Sequence, residues 1–413
     1  MEADRFPEIR SLCDVVEPHL SGARLLSYQA SSLTQPGDNY GSVLLAIHAQ
    51  LQRPEGGMFE KQLVAKLPPT DPKYWQFFQP ERTCPTEIAV YKVLAPALTT
   101  LQDEAGIPVE SQFKGFPRYF GSRVSLVPSS GRVDQNAVLV LENVRQSGFL
   151  PGRRLVPFDL PHTLLALRSM AQFHALPLAL RLLKPEVFRD QVQPFFRKFD
   201  WHAAAPEWKK VMKAETLEDV RRATNDNSEL VARVAELADE FFEFLAADPD
   251  RPDGPFTSII HCDFWINNLM FSYEPSGTPN GLKIIDFQTA QYDSVVHDII
   301  SFLLSSVDTA ILEIHFEHML SAYYEAFECC LRRVGAKLET HTYEAFREEV
   351  KRVAYIQVPH AIFMTRFILA DGAPSEAEES RPLPDVLKSP GSERIAHKLS
   401  QILNLAQKFE ILH

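Results

Sequence analysis

Two carboxylates and one carboxamide at close spacing are the residues of this sequence best suited to chemistry. Asp263 lies in a His261-x-Asp triplet, Asn268 follows it five residues later, and Asp286 comes at the end of the next apolar run. Asp263 can orient an attacking hydroxyl or accept its proton, while the side-chain oxygens of Asn268 and Asp286 suit Mg²⁺. The set predicts phosphoryl transfer from a nucleotide, in which a protein mainly positions reactants and neutralises charge.

Two apolar runs must position these side chains. Residues 259–271 and 282–288 are joined by a turn-rich linker that contains Asn280-Gly281, which predicts a short β-hairpin with the polar groups at its mouth. A lone His-x-Asp, or an Asp after an apolar strand, is usually a turn or a surface group. The ordered set at this spacing is therefore what carries the prediction. We expect His261 to brace the loop through hydrogen bonds rather than to react.

Length and charge limit the classes of protein to consider. A chain of 413 residues exceeds the size that one hydrophobic core usually supports, so two lobes are expected. Lys and Arg number 42 against 54 Asp and Glu, which gives a net charge of −12, and no basic block stands out. This charge pattern argues against nucleic acid as a partner.

Cysteine usage and the apolar runs indicate a compartment. The five cysteines show no C-x-x-C spacing, which predicts free thiols in a reducing environment. The sequence opens with the acidic stretch Met1–Arg5, unlike a secretory signal, and the apolar run 299–312 is interrupted by polar residues. We therefore expect a cytoplasmic protein without membrane insertion.

A lysine on a predicted strand is a candidate for binding nucleotide phosphates. Period-two alternation in residues 59–67 puts Val64 and Lys66 on one face, where a cation beside an apolar floor suits phosphates under an adenine. The run 86–94 has helical periodicity that places Glu87 beside its buried stripe, so a Lys66–Glu87 ion pair is a hypothesis. The alternatives are a solvated strand lysine and a solvated helix face.

Two further segments have a local and a nucleotide-binding interpretation. Residues 33–42 form a turn-rich segment before the strand 43–47, and such a loop can bind phosphates through backbone N–H groups. Without G-x-G-x-x-G it equally fits a plain hairpin turn. The apolar stretch 138–141 predicts a buried strand with a polar exit.

From Pro161 onward, apolar residues at helical spacing predict a helix that ends before Pro177, with His174 packed near its end.

The fuller motif resembles the ecdysteroid kinase-like family, which is related to choline kinases and aminoglycoside phosphotransferases. The matching residues are His261, Asp263, Trp265, Asn268 and Phe271, followed by Asp286-Phe287-Gln288. The family usually has Gly where Cys262 stands, a departure that concerns the local backbone and removes no catalytic group. The resemblance extends in order from Gly37 to Asp298.

This resemblance implies an α+β, two-lobe protein-kinase-like fold that uses ATP and Mg²⁺. The N-terminal nucleotide-binding lobe would be mainly β (residues 1–140), and the catalytic and acceptor-binding lobe mainly α (residues 141–413). It implies Asp263, Asn268 and Asp286 as catalytic residues, of which Asn268 and Asp286 hold the metal, and Asp298 as a structural carboxylate below the catalytic loop. The implied nucleotide-binding residues are Gly37, Asp38, Asn39, Tyr40 and Ser42 in a phosphate loop, Val64, Lys66 and Glu87, and the hinge residues Leu141, Glu142, Asn143 and Val144.

The acceptor is expected to be a hydroxyl on a small, hydrophobic molecule. The resemblance implies ecdysteroids, other steroids or xenobiotic alcohols, and residues 186–225 are one candidate wall for such a molecule. The aromatic and apolar candidates, most of them expected in the core, are Phe195, Phe196, Trp201, Tyr323, Tyr324, Phe327, Phe363, Met364 and Phe367. One alternative is a kinase for a polar acceptor such as choline or an amino sugar. Another is a non-catalytic nucleotide-binding regulator, against which the intact Lys66, Asp263, Asn268 and Asp286 argue. The acceptor's identity and the oligomeric state are left open by the sequence.

Overall fold

The N-terminal part of the chain is built on an antiparallel sheet. The computed structural model describes residues 9–33, 41–198, 206–246, 254–337, 339–369 and 392–412. The sheet has five strands in the order β1-β2-β3-β5-β4. Their bounds are β1 Arg24–Ser32, β2 Val43–Gln52, β3 Met58–Leu67, β4 Tyr119–Arg123 and β5 Val138–Glu142. The sheet therefore extends slightly past the boundary predicted between residues 140 and 141.

Alternation along β3 separates a packed face from a cleft face. Leu63, Ala65 and Leu67 are buried in the core of the sheet region, while Val64 and Lys66 lie half-buried on the opposite face. The pairing of Lys66 with Leu139 and of Val64 with Leu141 fixes the register against β5. The prediction that Val64 and Lys66 share one face is confirmed.

Short helices flank the sheet. They are α1 Leu12–Val16, α2 Pro72–Phe78, α3 Pro80–Ala89 and α4 Ala95–Glu104. A π-helical turn, Val90–Leu94, joins α3 to α4. In α3, Glu87 is 4 % exposed, so this carboxylate belongs to the interior and not to a solvated face. Burial of an acidic side chain requires a partner, which the site described below provides.

The C-terminal part is mainly helical. Its helices are α5 Leu160–Leu183, α6 Pro185–Val187, α7 Pro206–Ala223, α8 Ser228–Ala246, α9 Val296–Ser306, α10 Thr309–Arg333, α11 Tyr343–Val353, α12 Gln357–Leu369 and α13 Glu393–Lys408. The long helices α5 and α10 pack against each other in its centre. The fold is thus α+β, with an antiparallel sheet followed by a helical region. None of the described helices is long and apolar enough to cross a membrane.

The prediction that α5 ends before Pro177 is wrong. The helix continues through Pro177 to Leu183, and Leu176, Leu178 and Leu180 are each no more than 1 % exposed. A proline inside a helix removes one backbone hydrogen bond and costs about 3 kcal/mol. Burying a leucine contributes about 1.5–3 kcal/mol, so the apolar residues after Pro177 offset that cost when the helix is extended.

Small β-ladders carry the polar motif. The predicted hairpin is present as β8 (Leu269–Tyr273) and β9 (Pro279–Ile284), and Leu150–Pro151 adds β6 beside β8. Its turn lies at residues 274–278, where Glu274 N donates to Thr278 O at 2.9 Å. Asn280-Gly281 lies within β9 instead of at the turn, and the Asn280 side chain accepts a cross-strand bond from Ser272.

A second ladder closes the motif on its other side. Strand β7 (Thr257–Ile260) pairs antiparallel with β10 (Gln291–Ser294). The loop between β7 and β8 carries Asp263 and Asn268, and the loop between β9 and β10 carries Asp286. Since β8 and β9 are paired, both loops leave the same end of that hairpin, which brings the three polar residues together.

Candidate active site

Lys66 joins the sheet to the polar loops of the helical region. Its Nζ atom lies 2.6 Å from Glu87 Oε2 on α3 and 2.6 Å from Asp286 Oδ1, and its side chain is 12 % exposed. The Lys66–Glu87 ion pair predicted from the sequence is therefore present. It also includes Asp286, which lies 220 positions away from Lys66 in the sequence.

One lysine shared by two carboxylates leaves a net negative charge in a buried place. Burial opposes the charge on Lys66, but Asp286 and Glu87 outweigh burial and raise its pKa. Burial and the Asp286 carboxylate raise the pKa of Glu87 against the attraction of Lys66 and a hydrogen bond from the Phe287 backbone. Lys66 thus stays a cation, and the surplus negative charge suits a second cation at Asp286.

Asp263 and Asn268 are held together on the loop after β7. The Asn268 amide nitrogen donates to the backbone oxygen of Asp263 at 2.9 Å and to Asp263 Oδ2 at 2.9 Å. Because both bonds use the amide nitrogen, the Asn268 amide oxygen faces away from Asp263. Asn268 can therefore orient the Asp263 carboxylate and also present an oxygen to a cation.

The protonation of Asp263 is tuned by its surroundings. Burial and the nearby Asp286 carboxylate raise its pKa to about 8, although the hydrogen bond from the Asn268 amide favours its charged form. A catalytic group works best as a base when its pKa lies near the operating pH. The arrangement therefore suits proton acceptance from a hydroxyl.

His261 braces the loop, as predicted. Its Nε2 lies 3.0 Å from the backbone oxygen of Ile285, and its Nδ1 accepts the backbone N–H of Asp263 at 3.2 Å. A neutral imidazole that carries its proton on Nε2 satisfies both bonds. Burial lowers the pKa of His261, which keeps the ring neutral. The histidine thus ties the loop bearing Asp263 to the segment just before Asp286.

Asp298, on α9, supports the same loop from below. Its carboxylate accepts the backbone N–H groups of His261 at 2.7 Å and of Cys262 at 2.8 Å. His174 Nε2 lies 3.1 Å from it, and His174 Nδ1 lies 2.8 Å from the Tyr323 hydroxyl. These bonds outweigh burial and lower the pKa of Asp298. His174 therefore has a packed, supporting position in the middle of α5.

Two residues of the polar loops adopt left-handed backbone conformations. Cys262 has φ 63° and Asp286 has φ 65°. Glycine adopts this region without cost, whereas other residues pay for it, which explains why the family's usual residue at position 262 is Gly. Cys262 nevertheless adopts this conformation, and the hydrogen bond from its backbone N–H to Asp298 helps to hold it.

The residues at this site fit Mg²⁺. Asp286 supplies a carboxylate and Asn268 an amide oxygen, and Mg²⁺ is usually bound by one or two carboxylates plus waters and substrate phosphates. Within the described residues, no group of three or more His, Cys, Asp and Glu side chains could hold a metal by itself. A cation here would depend on nucleotide phosphates for its remaining ligands.

The structure describes only some of the predicted nucleotide-binding residues. Gly37, Asp38, Asn39 and Tyr40 lie outside the described residues, and Ser42 is buried immediately before β2. Val64, Lys66 and Glu87 lie together on the cleft side of the sheet region, as described above. Of the predicted hinge residues, Leu141 and Glu142 are the last two residues of β5, and Asn143 and Val144 directly follow it.

The hinge segment already uses several of its polar groups. Glu142 N donates to Arg118 O at 2.8 Å, and Asn143 O accepts from Gln146 N at 3.0 Å. The Glu142 carboxylate accepts from Ser147 Oγ, and the Asn143 side chain caps the turn that begins at Val144. Leu141 and Val144 are buried. Adenine binding by this segment remains a prediction, and it would use other main-chain groups.

Four of the seven aromatic and apolar acceptor candidates whose side chains are described belong to the core. The buried ones are Phe196, Tyr323, Tyr324 and Phe327. Phe195 is 42 % exposed, while Phe363 and Met364 are half-buried. Trp201 lies outside the described residues, as does the side chain of Phe367. An apolar wall formed by residues 186–225 remains a prediction.

A group of aromatic residues near the site is not predicted from the sequence. Helix α2 carries Tyr74, Trp75, Phe77 and Phe78, and none of its residues is buried. The available signal is four aromatic residues within a segment flanked by Pro72 and Pro80. That signal does not connect the segment with the cleft, because only the packing of the chain places it there.

Two solved structures are similar to this chain. Over 92 % of the chain, the structure is similar to a Plasmodium vivax ethanolamine kinase, covering 82 % of that chain with 10 % identity and a TM-score of 0.39. It is also similar to a thermostable mutant of an aminoglycoside phosphotransferase in apo form, with 11 % identity, a TM-score of 0.32, and coverage of 94 % of this chain and 97 % of that one. No curated protein matches the sequence significantly.

The family assignment rests on a match of another kind. The sequence profile of the ecdysteroid kinase-like family matches residues 36–336, which is most of the chain and includes Lys66, Asp263 and Asp286. The matched range contains the ion pair, the catalytic loop and the carboxylate that supports it. The chain therefore belongs to the ecdysteroid kinase-like family.

Proposed function

We propose that this small-molecule kinase transfers the γ-phosphoryl group of ATP to a hydroxyl of a small hydrophobic molecule, such as an ecdysteroid, another steroid or a xenobiotic alcohol. The observation that carries this proposal is the contact of Lys66 with both Glu87 and Asp286, at 2.6 Å each. Such a contact joins a phosphate-binding cation to a metal-binding carboxylate, and both are needed on one nucleotide.

Each polar residue has a distinct role in this proposal. Lys66, positioned by Glu87, pairs with the phosphates of ATP. Asp286 and the amide oxygen of Asn268 hold Mg²⁺, which when bound neutralises charge on the transferring phosphoryl group. Asp263 orients the acceptor hydroxyl, and its pKa of about 8 suits it to take the proton.

The proposed phosphoryl transfer needs no reactant besides ATP and the acceptor alcohol. The hydroxyl oxygen of the acceptor forms a bond to the γ-phosphorus, and the bond from that phosphorus to the bridging oxygen of ADP breaks. The hydroxyl proton passes to the Asp263 carboxylate. The products are ADP and a phosphate monoester, and Lys66 remains paired with the phosphates that stay on ADP.

The apolar class of acceptor is supported by the aromatic side chains beside the cleft. Helix α2 carries four half-buried aromatic side chains, Tyr74, Trp75, Phe77 and Phe78, which suit an apolar acceptor better than a sugar. Each Å² of apolar area that a rigid polycyclic alcohol buries is worth about 25 cal/mol, so a few such contacts distinguish a sterol from a small polar alcohol. The five free cysteines support a reducing compartment, and we place the reaction in the cytoplasm.

A mixed-acceptor assay tests the proposal. The protein is incubated with ATP, Mg²⁺ and a panel of hydroxylated steroids, plant phenolics, choline and aminoglycosides, and phosphorylated products are identified by mass spectrometry. Asp263→Asn is the matched control, because it is nearly isosteric and removes only the proton acceptor. We expect products from apolar alcohols with the wild-type protein and none with the variant.

Other outcomes separate the parts of the proposal. Products confined to choline or aminoglycosides would contradict the apolar acceptor while the kinase activity stands. A protein that binds ATP and forms no product from any acceptor would instead be a nucleotide-binding regulator.

A further inference from the structure

A cavity lies at the edge of the N-terminal sheet, between helix α1, strand β4 and the π-helical turn that follows α3. Its volume is about 680 Å³, which is within the range of about 300–1,000 Å³ typical of small-molecule sites. Residues that line this α1–β4 cavity include Asp14, His19, Tyr91, Lys92, Tyr119 and Arg123. Asp263, Asn268 and Asp286 are not among its described lining residues, so it is distinct from the phosphoryl-transfer site.

Two contacts hold the α1 wall of the cavity against β4. A Cβ atom built on Gly121 would lie 2.0 Å from the Val15 backbone oxygen, so only a glycine lets the strand approach α1 this closely. Arg123 Nη1 donates to the Ser11 backbone oxygen at 3.2 Å, and Arg123 Nε donates to that of Asn136 at 2.8 Å. The wall is therefore part of the fold, and the cavity is preformed.

The cavity has a positive balance of charge in an acidic protein. Its acidic and basic lining residues are Lys92 and Arg123 against Asp14, whereas the whole chain carries −12. The Lys92 ammonium has no hydrogen bond or ion pair with any residue that the structure describes, and Arg123 Nη2 bonds to none of them either. Cationic donors that are free in this way favour an anionic group in the cavity.

Aromatic and apolar side chains supply the rest of the cavity wall. The His19 and Tyr119 rings meet edge to face at a centroid distance of 4.9 Å. Val15, Pro96 and Leu126 also line the cavity. Aromatic rings and aliphatic side chains pack well against another flat ring system. The lining thus suits a molecule that combines a flat apolar body with one acidic group.

Tyr91 connects the cavity with the Lys66–Glu87 pair. It lines the cavity and follows Glu87 by four residues, about one helical turn. Its ring meets that of Phe287, the residue after Asp286, edge to face at a centroid distance of 5.9 Å. The Phe287 backbone N–H in turn donates to the Glu87 carboxylate. One side chain therefore contacts both the cavity and the segment that joins Glu87 to Asp286.

The Tyr91 ring is held in place by packing alone. Its hydroxyl is buried and has no hydrogen-bond partner in the described part of the chain. Burial and the carboxylates of Glu87 and Asp286 raise the pKa of this hydroxyl. Tyr91 also lies in the π-helical turn Val90–Leu94, and such turns are frequent at functional sites. A ligand that packs against Tyr91 thus restrains a turn that no hydrogen bond of this side chain fixes.

We propose that the α1–β4 cavity is a regulatory site for a small molecule with a flat apolar body and one acidic group, such as an aromatic carboxylate, sulfonate or phosphate ester. Lys92 and Arg123 bind the acidic group, and the aromatic wall packs on the rings. By packing against Tyr91, the ligand holds Glu87 against Lys66 and so favours the ATP-binding arrangement. This coupling rests on the proposed function, whereas binding in the cavity does not.

Two fluorescent probes that differ by one charge test the site. Anilinonaphthalene sulfonate carries flat apolar rings and a sulfonate, and phenylnaphthylamine has the same rings without the charge. The Kd of each probe is measured by fluorescence titration with the wild-type protein, Lys92→Gln and Arg123→Gln. Lys114→Gln is the matched control, because Lys114 is an exposed lysine outside the cavity lining and the substitution removes the same charge. Thermal melts verify that each variant is folded.

We expect Lys92→Gln and Arg123→Gln each to raise the Kd of the sulfonate probe by about 2- to 5-fold, the range that one partly solvated ionic contact gives. The Kd of the neutral probe should stay within error in both variants, and Lys114→Gln should change neither Kd. An equal effect of all three substitutions, or no effect of Lys92→Gln and Arg123→Gln, would place the probe elsewhere and overturn the site.

Coupling is measured as the Kd of ATP while the sulfonate probe is added. We expect this Kd to fall by about 5-fold and then to reach a plateau, at the lower end of the coupling usually found between two sites. In Tyr91→Leu the fall should be lost with the ring contact to Phe287. Tyr119→Leu is the companion variant, which should weaken probe binding and keep the fall at saturating probe.

Two results would overturn the coupling. The first is a Kd of ATP that is unchanged at saturating probe. The second is a Kd of ATP that rises steadily with probe concentration, since this would show competition in the nucleotide cleft. A fall that persists unchanged in Tyr91→Leu would overturn the role of Tyr91.

The cavity site and the proposed function fail in different ways. If the protein binds no ATP, the proposed function is overturned, yet a sulfonate-probe Kd that depends on Lys92 and Arg123 would still support an anion site in the cavity. If an alcohol is phosphorylated while the probe Kd responds to neither substitution, the function stands and the regulatory site is wrong.

Discussion

The carboxylate of Asp298 accepts a 2.7 Å hydrogen bond from the backbone N–H of His261, across 37 positions of sequence. A second bond of 2.8 Å comes from the Cys262 N–H. Charge-assisted bonds of this kind, made in the interior, are stronger than bonds between neutral groups. They hold the backbone immediately before Asp263, and so the position of the candidate base depends on a carboxylate in helix α9.

Replacing Asp298 should destabilise the protein as well as the loop. In Asp298→Asn the charge is lost and an amide group faces two N–H donors. We therefore expect the free energy of unfolding to fall by about 2–4 kcal/mol, together with a fall in turnover. Urea denaturation measures the first effect. Asp308→Asn is the matched control, since Asp308 also accepts two backbone N–H groups, at the N-terminus of α10, where Asn caps nearly as well. A loss below about 0.5 kcal/mol in Asp298→Asn would contradict the supporting role.

Turnover should depend on pH through Asp263. A base must be deprotonated, and the pKa of Asp263 in the free protein is raised to about 8 by burial and by Asp286. The kcat/KM for the acceptor should therefore rise from about pH 7 to about pH 9, reaching half of its limiting value near pH 8, and level off above that range. Asp286→Asn removes the repelling charge, so the inflection should move to lower pH while turnover falls by several orders of magnitude. A profile that is flat across this range, or normal turnover in Asp286→Asn, would contradict these roles.

The raised pKa of Asp263 should also make the stability of the folded protein depend on pH. Asp263 has a folded-state pKa of about 8 against an ordinary value of 3.8, so the folded protein holds a proton that the unfolded chain releases between these values. Stability should then fall as pH rises from about 4 to about 8 through this group. In Asp263→Asn that contribution is absent, and the variant should melt at a higher temperature than the wild-type protein at pH 8. Thermal melts of both proteins at pH 5 and pH 8 give the comparison, and an equal difference at the two pH values would contradict it.

Nucleotide binding should depend on Lys66. In Lys66→Met the phosphates lose their cation and Glu87 loses its partner, so ATP should protect the strands of the sheet less from hydrogen exchange. Glu87→Gln is the companion variant, because it keeps Lys66 charged but releases one of its two anchors. We expect a smaller loss of protection in that variant. If ATP protected Lys66→Met as well as the wild-type protein, the phosphate-binding role of Lys66 would be contradicted.

Cys262→Gly should stabilise the protein. Cys262 adopts φ 63°, a conformation that costs a non-glycine residue about 1–2 kcal/mol. Greater freedom in the unfolded chain and the lost thiol packing offset part of this gain, so we expect a rise in unfolding free energy of up to about 1 kcal/mol with turnover retained. Cys329→Gly, at an exposed position inside α10, should instead lose about 1 kcal/mol. Destabilisation of both variants to the same extent would contradict the backbone argument.

The sequence by itself determined the identity of the chemical groups. Asp263, Asn268 and Asp286 are recognisable because phosphoryl transfer needs hard oxygen ligands and a base at short spacing, and short spacing is visible along a chain. The alternation that put Val64 and Lys66 on one face of β3 was equally local, because the period of a strand fixes which side chains share a face. The prediction of an α+β fold followed from the family resemblance that those groups carry.

Tertiary structure alone decided which distant groups meet. The contact of Lys66 with Asp286 and the support of His261 by Asp298 each join segments whose separation leaves no periodic signal. The continuation of α5 through Pro177 has the same origin, since a local rule favours a stop and only the burial of the residues beyond it outweighs that rule. Local propensity depends on neighbouring residues, whereas packing energy depends on partners that only the folded chain brings together.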